Sequence, residues 1–196
     1  MKRDLLGLVM CGGESRRMGE DKAVIEVREG VTQLAYVAGL LEKFCKKVAV
    51  STGPSERSER ELPEGLVGIA DAEAVAGPMA GVIAGLKAAE PWGLLVVAVD
   101  MPFLEASHLL QLVNRRDPEK LATAFIAEDG YADPMCAIYE TRALGDMERL
   151  ARVGKTSLRR FLESGEVERI AQERPYWLTS VNDPKALAKA RERISG

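Results

Sequence analysis

The sequence predicts an α/β fold, a three-layer α/β/α sandwich around a mainly parallel sheet with one antiparallel hairpin inserted late in the chain. Three observations predict it. Residues 5–10 (LLGLVM) and 94–99 (LLVVAV) are short runs without a polar side chain, as strands buried on both faces read. Stretches with apolar residues at helical spacing separate such runs as far as residue 116. That alternation calls for right-handed crossovers between parallel strands, a Rossmann-like arrangement. Beyond residue 116 the order changes, and Asp129-Gly130 sits between two β-like runs, where a tight reversal belongs. With 196 residues, 46% of them apolar, the chain has the size and the core of one domain, 1–196.

The elements follow in order. The first strand, 5–10, runs into a glycine cluster. Leu34, Val37, Ala38, Leu41, Phe44 and Cys45 then recur at helical spacing and predict an amphipathic helix over 32–46. Residues 48–50 form a second strand, 51–65 a polar loop, and 66–70 a third strand. Met79, Val82, Ile83, Leu86 and Ala89 mark a second helix, and the strand over 94–99 stops at Asp100. Ala106, Leu109, Leu110 and Val113 give a third helix. Residues 121–127 and 134–139 pair as the hairpin, with Asp-Gly supplying positive φ angles. Helices follow near 141–152 and 156–164. Asp183-Pro184 joins a capping carboxylate to a proline at the first helical position, and so opens a last helix toward Ile194.

Composition removes several function classes. Lys and Arg number 27 against 30 Asp and Glu, a net charge of −3. A protein that coats nucleic acid is normally basic, so a small anion held in a local basic pocket is the ligand left in view. The single histidine, His108, is too little for a His-rich metal centre or a Ser-His-Asp triad. It reads as a partly buried residue of the third helix. Cys11, Cys45 and Cys136 are too few and scattered for a disulfide framework or a zinc knuckle, and they fit a reducing, cytoplasmic setting. No apolar run approaches the roughly 18 residues of a membrane span. The basic start and short apolar run read as a strand and not as a signal peptide.

Open parallel sheets bind ligands beyond the carboxyl ends of their strands, which directs attention to 11–22, 51–56, 71–78 and 100–104. The first of these is Cys11-Gly12-Gly13-Glu14-Ser15-Arg16-Arg17-Met18-Gly19-Glu20-Asp21-Lys22. Its glycines let backbone N–H groups converge on phosphate oxygens, and Arg16, Arg17 and Lys22 add cations. The G-x-G-x-x-G fingerprint fails because Gly12 and Gly13 are adjacent; the Walker pattern fails because Glu20 follows Gly19. Gly154-Lys155-Thr156 is a decoy, since Arg149 stands where its first glycine is needed. Asp100 ends the most apolar strand, and a carboxylate there needs a partner or a cation. Magnesium, which shares carboxylate and phosphate oxygens, suits such a position.

The run from Leu8 to Lys22, with Gly12, Gly13, Ser15, Arg17, Met18, Gly19, Asp21 and Lys22 in place and Cys11 where alanine is usual, resembles the signature loop of nucleotidyltransferases that activate small phosphorylated molecules. Within them it is most similar to the molybdenum cofactor guanylyltransferases. The resemblance also touches Asp71, Gly77-Pro78-Met79-Ala80-Gly81, Asp100-Met101-Pro102, the segment from Asp133 to Tyr139, and Val181-Asn182-Asp183-Pro184. It implies a nucleotide-diphospho-sugar transferase-like sheet, with a nucleotide-binding half over 1–116 and an acceptor-binding half over 117–196. It implies transfer of GMP from GTP to the phosphate of molybdopterin with release of pyrophosphate, and Mg2+ as the metal. The amides of Gly12, Gly13 and Ser15 cradle the triphosphate, while Arg16 and Lys22 stabilise the leaving pyrophosphate. Asp100 holds Mg2+. Met10, Cys11, Gly53 and Asp71 border base and ribose, Gly77 and Pro78 flank the nucleoside, and Asp133 and Asn182 lie on the acceptor side. No nucleic acid or membrane partner is expected, and the chain reads as a monomer or weak homo-oligomer.

Some positions depart from the pattern. Asp133 stands where the family usually carries His or a Gln-like group, and Ser180 replaces a second Asn. Ser51-Thr52-Gly53 replaces an Asn-containing loop near the base, which leaves cytidylyl transfer, or transfer to another small phosphate, as an alternative. A non-catalytic nucleotide-binding domain is the other. Lys155, Arg159 and Arg160 offer charge to an acceptor phosphate, although such residues usually form a solvated helix face.

Overall fold

The computed structural model describes residues 4–11, 23–54, 62–172 and 175–195. Its elements are β1 (Leu5–Met10), β2 (Glu26–Arg28), β3 (Val31–Thr32), α1 (Gln33–Leu41), β4 (Lys47–Ser51), β5 (Val67–Ile69), α2 (Pro78–Ala89), β6 (Gly93–Ala98), α3 (Ala106–Asn114), β7 (Ala122–Ile126), β8 (Ala132–Tyr139), α4 (Ala143–Arg152), α5 (Leu158–Ser164), β9 (Val167–Ile170) and α6 (Pro184–Ser195). Seven strands make one sheet in the order β5-β4-β1-β6-β8-β7-β9. β1 pairs in parallel with β4 and β6, β4 with β5, and β7 with β9. β8 lies antiparallel between β6 and β7, so it alone runs against the rest.

The central strands alternate their side chains between two cores. Leu5, Val9, Leu95 and Val97 pack toward α1 and α3. Leu6, Leu8, Leu94 and Val96 pack toward α2, α4 and α5. Covering both faces is what makes the runs wholly apolar. The three-layer α/β/α sandwich with its antiparallel hairpin is therefore the architecture present.

Several boundaries differ from the sequence expectation. The helix expected over 32–46 ends at Leu41, because the Leu41 carbonyl accepts from both Phe44 and Cys45 N–H and turns the chain there. In α3, Leu112 is fully buried and Leu110 is exposed, which rotates the apolar stripe by a residue pair. The hairpin reversal takes positive φ at Gly130 alone, +81°, and the Asp129 carboxylate accepts from Tyr131 N–H. Two pieces were not anticipated. The β2–β3 ribbon forms a separate small sheet, and β9 adds an edge strand beside β7.

α6 starts as its cap predicts: Asp183 Oδ1 accepts from Ala186 N–H at 2.8 Å. Its Ala190 and the preceding Val181 pack on Ile25 and Val27, and Arg191 donates two bonds to the Glu26 carbonyl, at 2.9 and 2.7 Å. The end of the described chain is thus clipped onto β2, close in sequence to the glycine-rich segment. His108 is the third helical residue of α3. Its Nδ1 accepts from Glu105 N–H at 3.0 Å, and its ring stacks on Trp177 with centroids 4.1 Å apart. Burial pushes its pKa below the usual histidine value, against the opposing pull of Glu105. Gly154 and Lys155 close α4 by donating to Ala151 and Leu150 carbonyls, so the Walker-like decoy is a helix end.

Candidate active site

With six strands pointing one way, their carboxyl ends gather the segments the sequence singles out. Met10 and Cys11 leave β1, Ser51 ends β4, Asp71 follows β5, Asp100 follows β6, and Asp133 stands near the start of the reversed β8. Gly12, Gly13, Ser15, Arg16 and Lys22, five of the expected site residues, lie outside the described residues.

Asp71 sits in a built environment. Its backbone N–H donates to the Gly53 carbonyl at 2.9 Å, and its Oδ1 accepts from the Ser51 hydroxyl at 2.7 Å. Gly77 caps α2 with φ +75°, a conformation L side chains rarely adopt, and Pro78 is the first helical residue. The first turn of α2 then brings Gly81 against the Asp71 carboxylate. A Cβ at Gly81 would stand 2.7 Å from Met10 Cε, 3.0 Å from Ser51 Oγ and 3.1 Å from Asp71 Oδ1. Gly85, one turn on, would press on Leu8 and Leu94 and is needed for packing alone.

The segment after Asp100 is held from three sides. Val99 N–H donates to the Met10 carbonyl at 3.1 Å, and Val181 N–H donates to the Asp100 carbonyl at 2.9 Å, which brings Asn182 to this strand end. Arg28 Nη2 donates to the Pro102 carbonyl at 2.9 Å, and Tyr36 donates its hydroxyl proton to the Leu104 carbonyl at 2.7 Å. The Arg28 guanidinium lies 3.5 Å above the Tyr36 ring. Burial raises the Tyr36 pKa, with Arg28 opposing it. Arg28 and Tyr36 are residues that the sequence does not single out, and Ser51, read there as part of the loop near the base, gains a partner in Asp71. Ser51 carried one signal, its place at a strand's carboxyl end; Arg28 and Tyr36 carried none, because their partners lie far along the chain.

Asp133 accepts from Met135 and Cys136 N–H at 2.7 and 3.0 Å through Oδ1. Burial nevertheless raises its pKa, and those two bonds only moderate the effect. Arg159 is bound to Asp129 at 2.7 Å and lies over Tyr131, while Lys155 and Arg160 are exposed. The three cysteines are buried and none is in a disulfide.

Among the described residues no group of three or more His, Cys, Asp or Glu side chains is arranged to hold a metal ion by itself. A hard divalent cation here would need oxygen from its ligand as well as from the protein. The Asp100 carboxylate at the sheet end fits a cation shared with phosphate. No helix among the described residues is long and apolar enough to cross a membrane.

The family model described as MobA-like NTP transferase domain matches residues 7–171. A probable molybdenum cofactor guanylyltransferase from Mycobacterium avium is 34% identical over 95% of this chain and 96% of its own length. The molybdenum cofactor biosynthesis bifunctional protein of Synechocystis is 28% identical over 92% of this chain, which spans about half, 52%, of that protein. Among solved structures, molybdopterin-guanine dinucleotide biosynthesis protein A from Archaeoglobus fulgidus superposes with a TM-score of 0.80 at 22% identity, covering 97% of this chain and 98% of its own.

Proposed function

Because the chain belongs to the family of MobA-like NTP transferase domains, we propose that it is a molybdenum cofactor guanylyltransferase, joining GMP from GTP to the terminal phosphate of a pterin cofactor. An acceptor phosphate oxygen attacks the α-phosphorus, a new P–O bond forms, and the α–β bridge breaks with its electron pair leaving on pyrophosphate. A phosphate monoester is largely ionised at neutral pH, so the step needs no strong base. The protein's work is positioning and charge neutralisation.

In this reading the amides of Gly12, Gly13 and Ser15 bind the triphosphate, and Arg16 and Lys22 stabilise the leaving group. Met10, Cys11, Gly53, Asp71, Gly77 and Pro78 border the nucleoside, while Asp133 and Asn182 meet the acceptor. Asp100 would hold Mg2+, which supplies Lewis-acid charge at the phosphates. The two substrates are enough partners for a cytoplasmic monomer or weak homo-oligomer. The observation that carries the reading is the gathering of Met10, Asp71, Asp100 and the 181–182 segment at one end of the sheet, through the Met10–Val99 and Asp100–Val181 backbone bonds and the Ser51–Asp71 side-chain bond beside Met10.

The test is pyrophosphate release by purified protein with GTP or CTP, Mg2+ and the pterin acceptor. Acceptor-dependent release with GTP is expected. Lys22→Ala and Asp100→Ala should each lower it by orders of magnitude with unchanged circular dichroism. A folded Lys22→Ala protein of near-normal rate contradicts the assignment, and preference for CTP makes the enzyme a cytidylyltransferase.

A further inference from the structure

We propose that Ser51 is a positioning residue: its hydroxyl fixes the carboxylate of Asp71 as a hydrogen-bond acceptor for donor groups of the bound nucleoside. The inference rests on the reading of Asp71 as a nucleoside-side residue and adds the group that sets its geometry.

Ser51 is the last residue of β4 and has no exposed surface. Its backbone is held on both flanks, in register with Met10 of β1 and Ile69 of β5. A hydroxyl has one proton to give, and a buried one must place it. Ser51 gives it to Asp71 Oδ1 at 2.7 Å, in the range of bonds to an ionised acceptor. Asp71 itself stands just beyond the sheet and not within it. Among the described residues this is the hydrogen bond that orients its side chain, while its backbone N–H is tied to Gly53.

The absent side chain of Gly81 explains how the pair fits. Met10 Cε, Ser51 Oγ and Asp71 Oδ1 all crowd the point where a Cβ would stand. Gly81 lies in the first turn of α2, where the helix dipole favours a carboxylate nearby. Strand end, helix start and loop therefore converge on one carboxylate oxygen and hold it. A carboxylate that already accepts from a hydroxyl takes further donors only, and a nucleoside offers two kinds, ribose hydroxyls and base N–H groups. The shared chemistry is the donor.

The test is direct binding of nucleotide by calorimetry with Mg2+ and no acceptor, comparing wild type, Ser51→Ala, Asp71→Asn and the double variant. Loss of a bond to a charged group predicts that Ser51→Ala weakens GTP by about tenfold or more. Turnover at saturating GTP should change far less, whereas a purely structural defect would lower turnover through the active fraction without moving the dissociation constant. On the Asp71→Asn background Ser51→Ala should add nothing. A penalty that vanishes with 2′,3′-dideoxyGTP assigns the ribose hydroxyls; one that persists assigns the base. Gly81→Ala keeps both groups and displaces them, so it should weaken GTP as well, and it serves if Ser51→Ala melts early. GTP binding by wild type with unchanged dissociation constants in Ser51→Ala and Gly81→Ala overturns this proposal and leaves the proposed function standing. No binding of GTP or CTP by wild type overturns both.

Discussion

Arg28→Ala perturbs the segment after Asp100 without touching the seven-stranded sheet. The substitution removes a hydrogen bond from a charged donor to the Pro102 carbonyl, 2.9 Å long, and a guanidinium stacked 3.5 Å above Tyr36. Such a bond contributes about 1.5–3 kcal/mol and such a stack about 0.5–2. Against this, Arg28 Nη1 is buried and finds no hydrogen-bond partner among the described residues. Removing it relieves a cost of about 1–3 kcal/mol. The balance is a loss of about 1–2 kcal/mol, which lowers Tm by roughly 2–8 °C for a chain of this length. Where that loss falls on the ordering of residues 100–104, metal and nucleotide binding must restore the order. Half-saturating Mg2+ should then rise about five- to thirtyfold, since each 1.4 kcal/mol is tenfold. Tyr36→Phe removes the 2.7 Å bond to the Leu104 carbonyl. The double variant should fall short of additivity by more than about 0.5 kcal/mol, as stacked residues acting on one segment do. The assays are thermal melts and pyrophosphate release against Mg2+ concentration. A Tm that drops while the Mg2+ dependence stays fixed would refute the reasoning that this pair orders residues 100–104 for metal and nucleotide.

Three more outcomes are expected. Arg116 grips Glu140 through Nε and Nη2, both at 2.7 Å, with side-chain exposures of 16% and 6%. Glu140→Ala leaves a partly buried guanidinium without its carboxylate, holding only the Asp4 carbonyl among the described residues, and should cost up to about 3–5 kcal/mol and lower Tm by up to roughly 6–20 °C, which calorimetry will read. His108 has a depressed pKa in the fold, so its capping contribution is complete above its unfolded value near 6.5 and is lost as pH falls below it. Urea midpoints between pH 5 and about 7.5 should show that slope in wild type and lose it in His108→Gln. Asp133 has a raised pKa, so its ionisation destabilises the fold as pH climbs above the ordinary 3.8. Asp133→Asn keeps an acceptor for Met135 and Cys136 N–H and should be more stable near neutrality, with the gain vanishing in acid. If Asp133 serves the acceptor, the same variant will bind GTP normally and turn over poorly.

The two kinds of residue at this site differ in what makes them visible. β1 and β6 were legible because both faces of a central strand are covered, so every side chain must be apolar. The placement of Asp71 and Asp100 at one edge of the sheet was legible for a related reason: parallel topology gathers the residues beyond such strands, whatever their distance in sequence. The β2–β3 ribbon was not, since Glu26-Val27-Arg28 has a single buried side chain and no run to announce it. β9, Val167-Glu168-Arg169-Ile170, buries its two end residues around two polar ones, so it has no period-2 alternation to announce a strand. Arg28 and Tyr36 are eight positions apart and act on carbonyls at 102 and 104, a relation with no local pattern. Ser51 looked like the first residue of a polar loop, yet it is fully buried, because Gly81 lets α2 close over it. Sheet topology therefore places the acids at the carboxyl ends of the strands, while their orientation depends on side chains from other segments. Substitutions at the acids should stop chemistry; substitutions at Arg28 and Ser51 should leave it running and shift what the site binds, and how tightly.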